Sequence, residues 1–516
     1  MVGVVILPEE IILKLKNNIQ PQWKICFLSA IIVGFIAHLY KITNWLPNWD
    51  SLVFRYDAQN MLQIGRWFLP VASAPSSFYD LPWLTGLLAI LFHAAGAVCI
   101  CHIFAVRKKI TAALIGAGVA SFPTVTSVML YAYVCDAYAL SFLLSCLAAV
   151  FLVKQKPNYI VSVILITLSV GIYQAYISVT IMLLLCYLIY EALKTDTKFK
   201  TLLLKGVKYM VTGVIGMALY YLVLVIVLKV TNSELIEYQG FDTVASMSGF
   251  DIPGSLYTIN EVLVNYFFDF SNSVSLFSVL NIVICILSIA LFAGETIKRK
   301  LKFGNIIAIC VCAILLPFGA CALCFVNSSV DFHNLMKMGF FCFYLLFVLQ
   351  YEHAEFKCVK LNVLKRWCVL LVTLLLIANH IVIANVSYHK LNIAYEKSIG
   401  TLVRIADRIE QTEGAEDCNK IAVLDSLEDS KAYSAILPPD ITGTTDGYIL
   451  RADDEIVGQS VLCSALNDYC GKEYSFVVGN EKETLAKKAK EFGLENWPNK
   501  NSICVIDDVI VIKLGD

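Results

Sequence analysis

Long apolar runs constrain this chain more than any other feature, because they recur along most of its length. A run of about 17–25 apolar residues is long enough to cross a bilayer as a helix. Hydrophobic residues make up 58% of the 516 residues and charged residues 16%, whereas a soluble domain is roughly one quarter charged. A net charge of −1 provides no basic surface for nucleic acid. We therefore predict a mainly α-helical, polytopic membrane protein.

Eleven spans are predicted from these runs. They cover residues 25–43, 84–105, 110–130, 136–153, 159–172, 175–193, 206–230, 273–296, 304–326, 335–350 and 367–387. The preceding segment, 1–24, lacks the order of a cleavable signal peptide, since Glu9 and Glu10 interrupt its apolar stretch. The first span is therefore expected to stay attached as an anchor.

Lysine and arginine concentrate in alternate loops, a pattern typical of cytoplasmic loops. The basic segments are Lys14–Lys24, Arg107–Lys109, Lys154–Lys156, Lys194–Lys208, Lys298–Lys302 and Lys357–Arg366. The other loops, around 44–83, 131–135, 173–174, 231–272 and 327–334, are predicted to face outward. With eleven spans and a cytoplasmic N-terminus, the C-terminus also lies outside.

The composition changes after about residue 390. Short β-like runs, KIAVLD, YSFVVG and ICVIDDVIVIKL, are separated by polar loops, and ETLAKKAKEFG indicates a helix. We predict a transmembrane domain over 25–390 and a small extracytoplasmic α/β domain over 391–516.

Most of the eighteen cysteines lie inside apolar spans, where cysteine behaves as a small hydrophobe. No cysteine pair has the spacing of a zinc site. Cys418, Cys463, Cys470 and Cys504 lie in the polar C-terminal region, and four cysteines allow three pairings, among which the sequence does not choose.

Charged residues follow the first span directly, in NWDSLVFRYDAQNMLQIGRWFLP. The spacing of apolar residues in DAQNMLQIGRWFLP predicts an amphipathic helix lying in the membrane interface. Two interpretations are open for the acids Asp50 and Asp57: a hydrated anchor segment, or carboxylates that act on a ligand. An acid between apolar neighbours near lipid is costly, which favours a functional role for Asp50.

The other outward loops repeat this pattern of polar residues at span ends. Tyr131, Tyr133 and Asp136 precede the fourth span, where Asp136 is a catalytic candidate or a helix cap. Tyr173 and Gln174 form a ligand contact or merely a polar interfacial turn. At 331–337, Asp331 and His333 are a helix cap and an interfacial residue, or a cation of this loop, His333 or Lys337, binds a lipid-linked phosphate.

The position of these groups separates classes of membrane protein. A transporter usually places ionisable residues near the bilayer midplane, whereas here they gather at outward span ends. This distribution favours a site that acts on the headgroup of a lipid-anchored substrate. A lipid-linked oligosaccharide flippase or polysaccharide exporter is the alternative, and a non-catalytic membrane partner of glycan enzymes is a third hypothesis.

Four motifs occur in an order that resembles the bacterial type II glucosyltransferase family of O-antigen and cell-surface glucosylation. They are WDSLVFRYDAQNMLQIGRWFLP, FPTVTSVMLYAYVCDAYALS, GIYQAYISV and HNLMKMGFFCFY. The resemblance covers roughly residues 25–350. It implies a glycosyltransferase of the GT-C architecture in the bacterial plasma membrane, which moves a hexose, glucose by family, from a polyprenyl phosphate to a surface glycan or polymer.

The resemblance also implies roles for individual residues. It maps the acidic catalytic residue of the first outward loop onto Asp50 and a second acid onto Asp136. Other members can show two adjacent acids where this chain has Trp49-Asp50. Substrate contacts are predicted for Arg55, Asp57, Arg66, Tyr131, Tyr173, Gln174, His333 and Lys337. The sequence assigns no cofactor and leaves the need for a divalent cation open.

Overall fold

The computed structural model describes residues 19–53, 61–194, 197–236, 251–270, 276–352, 358–427, 441 and 457–515. This part of the chain is mainly α-helical, with long apolar helices and a small sheet near the C-terminus. The predicted fold class is confirmed at that level.

The α-helices and strands follow one another in this order. The helices are α1 (Pro21–Thr43), α2 (Trp49–Val53), α3 (Leu69–Ser73), α4 (Pro82–Ile103), α5 (Lys109–Ser121), α6 (Pro123–Leu130), α7 (Cys135–Val153), α8 (Tyr159–Ile172), α9 (Ile177–Ala192), α10 (Phe199–Thr231), α11 (Ile252–Phe268), α12 (Phe277–Arg299), α13 (Phe303–Ala320), α14 (Phe341–Leu349), α15 (Val359–Glu410), α16 (Val457–Asn467) and α17 (Gly479–Glu491). The strands are β1 (Lys420–Leu424), β2 (Ser475–Phe476), β3 (Ile503–Ile506) and β4 (Val509–Lys513).

Several helices begin where the sequence supplies a suitable first turn. Pro21, Pro82 and Pro123 each open a helix, a position that needs no N–H and suits the fixed φ of proline. The side chains of Asn158 and Asp251 accept hydrogen bonds from the backbone N–H groups three residues later and cap α8 and α11.

In the described residues, eight helices are long and apolar enough to cross a membrane. A ninth span results if the bent pair α5 and α6 crosses as one unit. The other two predicted spans coincide with shorter apolar helices, Tyr159–Ile172 and Asn334–Leu349. The number of eleven therefore stays a prediction.

The bend between α5 and α6 has a local cause. Pro123 has no N–H to continue the helix of α5, and proline excludes its preceding residue from the helical region. Phe122 accordingly has φ −60° and ψ 137°, and the two helices meet at 40°. This bend delivers the end of α6 to the loop that carries Tyr131 and Tyr133.

Loops that are rich in lysine and arginine contact one another. The backbone N–H of Arg107 donates to the carboxylate of Glu352 at 2.9 Å, so the loops after α4 and α14 meet. The guanidinium of Arg299 donates to the carbonyl of Leu193 at 3.1 Å, which joins the loops after α12 and α9.

Lys365, near the start of α15, lies within electrostatic range of both pairs of loops, because the positive charges of Lys108 and Lys298 act on it. The basic loops therefore share one end of the helical bundle. The alternate loops also meet one another, for example where Tyr133 contacts Asp50. The grouping agrees with the alternation in the sequence, while the side that faces the cytoplasm stays a prediction.

The C-terminal region forms a four-stranded sheet in the order β2-β1-β4-β3. β1 is parallel to β2 and β4, and β3 and β4 form a hairpin that turns at Asp507 and Asp508, both with positive φ. The end of α15 and α16 pack on one face of the sheet and α17 packs on the other. Cys418, Cys470 and Cys504 are free thiols, and the side chain of Cys463 lies outside the described part.

Helix α15 joins the two regions without a break. It has 52 residues, which corresponds to about 78 Å at the helical rise, far more than a bilayer core of about 30 Å. The sequence boundary drawn at residue 390 thus falls inside one continuous helix.

Candidate active site

Asp50 lies in the first turn of the short helix α2 and is half-buried. Asn48 fixes this turn, because its side-chain oxygen accepts hydrogen bonds from the backbone N–H of Ser51 at 2.9 Å and from its hydroxyl at 2.8 Å. The Asp50 carboxylate accepts a hydrogen bond from the hydroxyl of Tyr133 at 3.2 Å. Residues 83 positions apart are thereby joined.

The sequence places Tyr133 beside Tyr131 and Asp136 but assigns it no catalytic or binding role. In the structure its hydroxyl is a hydrogen-bond donor to Asp50. It is 5% exposed, and its ring lies edge-on to that of Tyr131 with the centroids 6.4 Å apart. Burial and the negative charge of Asp50 hold the pKa of the Tyr133 phenol well above its usual range. Tyr133 therefore stays protonated at neutral pH and acts as a donor that orients the carboxylate.

Arg66 is 9% exposed and lies among tyrosines. Its guanidinium donates to the hydroxyl of Tyr138 at 2.7 Å and stands 4.6 Å from the ring centroid of Tyr173. The rings of Tyr138 and Tyr173 are stacked, with centroids 4.8 Å apart. The positive charge of Arg66 also acts on Tyr133 and on His333, so this arginine influences two candidate groups.

A glycine turn delivers Arg66 to this position. Gly65 has φ +82°, a conformation that favours glycine. The side-chain amide of Gln174 donates to the carbonyl of Ile64 at 2.9 Å, and the hydroxyl of Tyr220 donates to the carbonyl of Gly65 at 2.9 Å. Gln174, which the sequence offered as a substrate contact, thus supports the loop that carries Arg66.

The predicted amphipathic helix does not continue through this loop. Residues Met61–Ile64 form a 3₁₀ turn, Gly65 interrupts it, and α3 starts only at Leu69. The regular spacing of apolar residues resembled one helix because the sequence does not show the φ of Gly65. Arg55 and Asp57 lie outside the described residues.

His333 precedes a 3₁₀ segment, Asn334–Phe340, that contains Lys337. The Nδ1 atom of His333 is buried and has no hydrogen-bond partner within the described residues. Burial lowers the pKa of its imidazole to about 4; Asp331 opposes this shift, and the positive charges of Arg66 and Lys337 add to it. His333 is therefore neutral at physiological pH.

Lys337 is 4% exposed, and its ammonium lies 5.8 Å from the ring centroid of Tyr266. The segment is anchored to α6, because the side-chain amide of Asn334 donates to the hydroxyl of Ser127 at 3.0 Å. The positive charges of Arg66 and Lys337, which lie in two separate loops, both act on the imidazole of His333.

Asp136 has different neighbours. It is 2% exposed and lies in the first turn of α7, where its carboxylate faces the hydroxyl of Ser76 and the backbone amide of Ala137. Val134, not Asp136, occupies the N-cap position, so the helix-cap interpretation is wrong. Its Oδ1 atom is buried without a hydrogen-bond partner in the described residues, while the Ser76 hydroxyl and the backbone amides at the N-terminus of its own helix favour the charged carboxylate.

The side chains described by the structure include no group of three or more His, Cys, Asp or Glu residues that could hold a metal ion. The positive charges that act on Tyr133 and His333 come from Arg66 and Lys337, while His333 itself is neutral. Such a set of one carboxylate and several donors can accept a proton at one point and bind an anion at another.

Residues 39–344 match the model of the family described as glucosyl transferase GtrII, over more than half of the chain. The chain belongs to this family. The predicted family is therefore confirmed, and the protein is a glucosyltransferase with helices suited to a membrane. Neither a curated protein nor a solved structure matches it.

The region that matches the GtrII glucosyltransferases contains the described candidate residues from Asp50 to Lys337 and ends within the segment Asn334–Leu349. The sheet and its helices after α15 lie beyond this match. Any role of the C-terminal domain must therefore be argued from its contacts.

Proposed function

We propose that the protein moves glucose from a polyprenyl monophosphate to a hydroxyl of a cell-surface glycan or polymer, on the outward side of the bacterial plasma membrane. The observation that carries the proposal is the contact between Asp50 and Tyr133, which orients one carboxylate at a tyrosine that also feels the positive charge of Arg66. Family membership supplies the sugar and the reaction class.

The proposed reaction is a single displacement. The acceptor oxygen forms a bond to C1 of the sugar as the bond from C1 to the phosphate oxygen breaks, and the electron pair leaves with the polyprenyl phosphate. The acceptor proton passes to the carboxylate of Asp50, a general-base step that typically contributes about 10²–10⁴-fold. Attack opposite the leaving group inverts C1, unlike the two-carboxylate route that retains its configuration.

The phosphate is already a good leaving group, so no acid has to protonate it. Charge develops on its oxygens as the bond to C1 breaks, and fixed donors stabilise such charge well in a site that excludes water. We assign this role to Arg66 and Lys337, which are buried cations, and to neutral His333, whose Nδ1 is available to a ligand oxygen. Arginine suits phosphate because its planar group donates two parallel hydrogen bonds.

Asp136 stays a prediction as the second acid. Its buried, unpartnered Oδ1 is consistent with a group that orients an acceptor hydroxyl or a cation. The flippase or exporter alternative receives no support from the family match, since the matching family is one of transferases.

The experiment uses the full chain in membrane vesicles with radiolabelled glucosyl polyprenyl phosphate. The acceptor is surface polymer extracted from cells that lack the gene. We expect label to enter the polymer, and Asp50→Asn to reduce the rate by about 10²–10⁴-fold. Equal rates for wild type and Asp50→Asn would contradict the proposed mechanism, and lipid transport without sugar transfer would support the exporter.

The control acid is Asp251, which is exposed and caps α11 by accepting the N–H of Gly254 at 3.0 Å. Asparagine caps helices about as well as aspartate, so Asp251→Asn is expected to keep wild-type transfer. The outward orientation is tested separately by fusing alkaline phosphatase to the C-terminus, because this enzyme is active only outside the cytoplasm. An inactive fusion in a well-expressed chain would contradict the orientation.

A further inference from the structure

The helix that carries Asp50 also contacts the C-terminal domain. The hydroxyl of Ser464 on α16 donates to the backbone carbonyl of Leu52 at 3.1 Å, although the two residues are 412 positions apart. Leu52 is 2% exposed and packs within the hydrophobic core of the C-terminal domain, beside Val461 and Leu462. Two residues after Asp50, the chain is thus part of another domain's core.

The segment that leads into α2 is held by the same domain. The indole of Trp45 packs edge-on against the ring of Tyr395 on α15, with centroids 5.7 Å apart and planes at 87°. Its N–H donates to the carboxylate of Asp80 at 3.0 Å. Trp45 therefore connects the C-terminal helix region with the start of α4.

Helix α2 cannot hold its own position. It has five residues, and isolated helices shorter than about 12–15 residues are marginal in water. Its placement depends on the groups packed against it, which are Tyr133 from the transmembrane region and Leu52 with its neighbours in the C-terminal domain. The carboxylate of Asp50 makes the first of these contacts, and the side chain of Leu52, two residues later, makes the second.

We infer that the C-terminal domain is a positioning element of the active site, which acts through Ser464 and Leu52 to hold α2 so that Asp50 faces Tyr133. The inference rests on the proposed role of Asp50 as the base. Ser464, which contacts α2, and Leu52, which attaches α2 to the core of the C-terminal domain, are positioning residues, since neither touches the reacting atoms. A displacement of about 1 Å at a catalytic group can reduce the rate by about 10²-fold, so loss of this contact has a measurable effect.

The first variant is Ser464→Ala in the full chain, compared with the conservative variant Ser464→Thr. The matched control is Ser475→Ala, because the hydroxyl of Ser475 also donates to a carbonyl at 3.1 Å, that of Asn419, in the same domain. We expect Ser464→Ala to lower kcat for transfer from glucosyl polyprenyl phosphate about ten-fold with an unchanged KM for this donor. Ser464→Thr is expected to recover most of the rate, and Ser475→Ala to retain it.

The second pair of variants separates positioning from folding. Leu52→Ala removes the apolar contact of α2 with the C-terminal domain, whereas Leu485→Ala creates a similar cavity on the opposite face of the sheet, where Leu485 is buried. We expect Leu52→Ala to lower kcat and Leu485→Ala to lower only thermal stability. Equal losses of kcat in both variants would overturn the inference, because the domain would then act only through its folding.

Deuterium uptake of the peptide that contains residues 48–53 provides a readout that does not depend on catalysis. We expect faster uptake in Ser464→Ala than in wild type, and wild-type uptake in Ser475→Ala. Unchanged uptake together with wild-type kcat in Ser464→Ala would overturn the inference. If Asp50→Asn is fully active, the proposed base fails, while faster uptake in Ser464→Ala still supports the attachment of α2.

Discussion

Replacing Tyr133 by phenylalanine removes one oxygen atom and tests how Asp50 is oriented. The phenol donates to the Asp50 carboxylate at 3.2 Å and is 5% exposed, so water cannot easily replace it. If Asp50 is the base, Tyr133→Phe leaves the base in place but removes a hydrogen bond that orients its carboxylate. The rate of sugar transfer is then expected to fall, while binding of the donor is unchanged.

The size of the effect follows from the hydrogen bond. Hydrogen bonds to charged groups contribute about 1.5–3 kcal/mol. A distance of 3.2 Å is longer than the spacing of about 2.5–2.7 Å typical of strong O–H···O⁻ bonds, which indicates the lower end of that range. A loss of about 1.4 kcal/mol in transition-state stabilisation is tenfold in rate, so Tyr133→Phe is expected to lower kcat about ten-fold.

The assay is a double-mutant cycle with Asp50→Asn, measured as initial rates of label transfer from glucosyl polyprenyl phosphate to surface polymer. Asp50→Asn alone is expected to lose about 10²–10⁴-fold. If Tyr133 acts through Asp50, Tyr133→Phe has little further effect in the Asp50→Asn background, since the orienting bond no longer serves a base. The expected coupling between the two residues is about 1 kcal/mol or more.

The control is Tyr388→Phe, which removes a buried phenol that is hydrogen-bonded to His38 at 2.7 Å within the helical bundle. This variant is expected to lower stability and to keep kcat in the folded fraction. Fully additive effects of Tyr133→Phe and Asp50→Asn would refute the argument that Tyr133 works through the carboxylate. A loss in Tyr388→Phe equal to that in Tyr133→Phe would refute it as well.

Three further predictions concern the loops around this site. Arg66→Lys keeps the charge but loses the planar group that contacts Tyr138 and Tyr173. The KM for the glucosyl donor is therefore expected to rise about ten-fold or more, with a smaller change in kcat. An unchanged KM would contradict a phosphate contact of Arg66. The pKa of His333 is about 4 in the folded protein and near 6.5 in the unfolded chain, so the unfolded state takes up a proton that the folded state excludes. Stability is therefore expected to fall as the pH drops from about 6.5 towards 4. Thermal unfolding should show a smaller loss of stability over this pH range in His333→Gln. Gly65→Ala places a residue with a Cβ atom at a positive φ and brings that atom within 2.7 Å of the Tyr220 hydroxyl, so it is expected to lower the melting temperature in detergent. In the control Gly213→Ala the added Cβ meets nothing within 4 Å, so this variant should be neutral or stabilising.

The sequence could predict those features that depend on local composition. Apolar runs identify membrane helices because roughly 20 residues must match a fixed bilayer thickness. Proline and asparagine at the helix starts, and β-branched runs such as Val509–Lys513, have local physical effects that survive in the fold. The four motifs also identified the glucosyltransferase family that residues 39–344 match.

Local patterns failed where the backbone departs from its average geometry. The spacing of apolar residues around Gly65 predicted one amphipathic helix, yet its positive φ ends the 3₁₀ turn and sends Arg66 inward. Asp136 looked like a helix cap because an acid preceded an apolar run, but the helix begins one residue earlier, at Cys135. In the first case a backbone angle at one residue decides the structure, and in the second the exact start of the helix does; apolar periodicity reports neither.

By itself, the sequence determined that this chain is a membrane protein of mainly helical structure, with acids and cations gathered at the ends of its spans. Only the tertiary structure decided which of them meet. Asp50 pairs with Tyr133 across 83 positions, and the helix that carries Asp50 is attached to Ser464 across 412. The physical reason is that hydrogen bonds and side-chain packing act over a few ångströms, and only the folded arrangement of the helices brings residues so far apart in the chain to that distance.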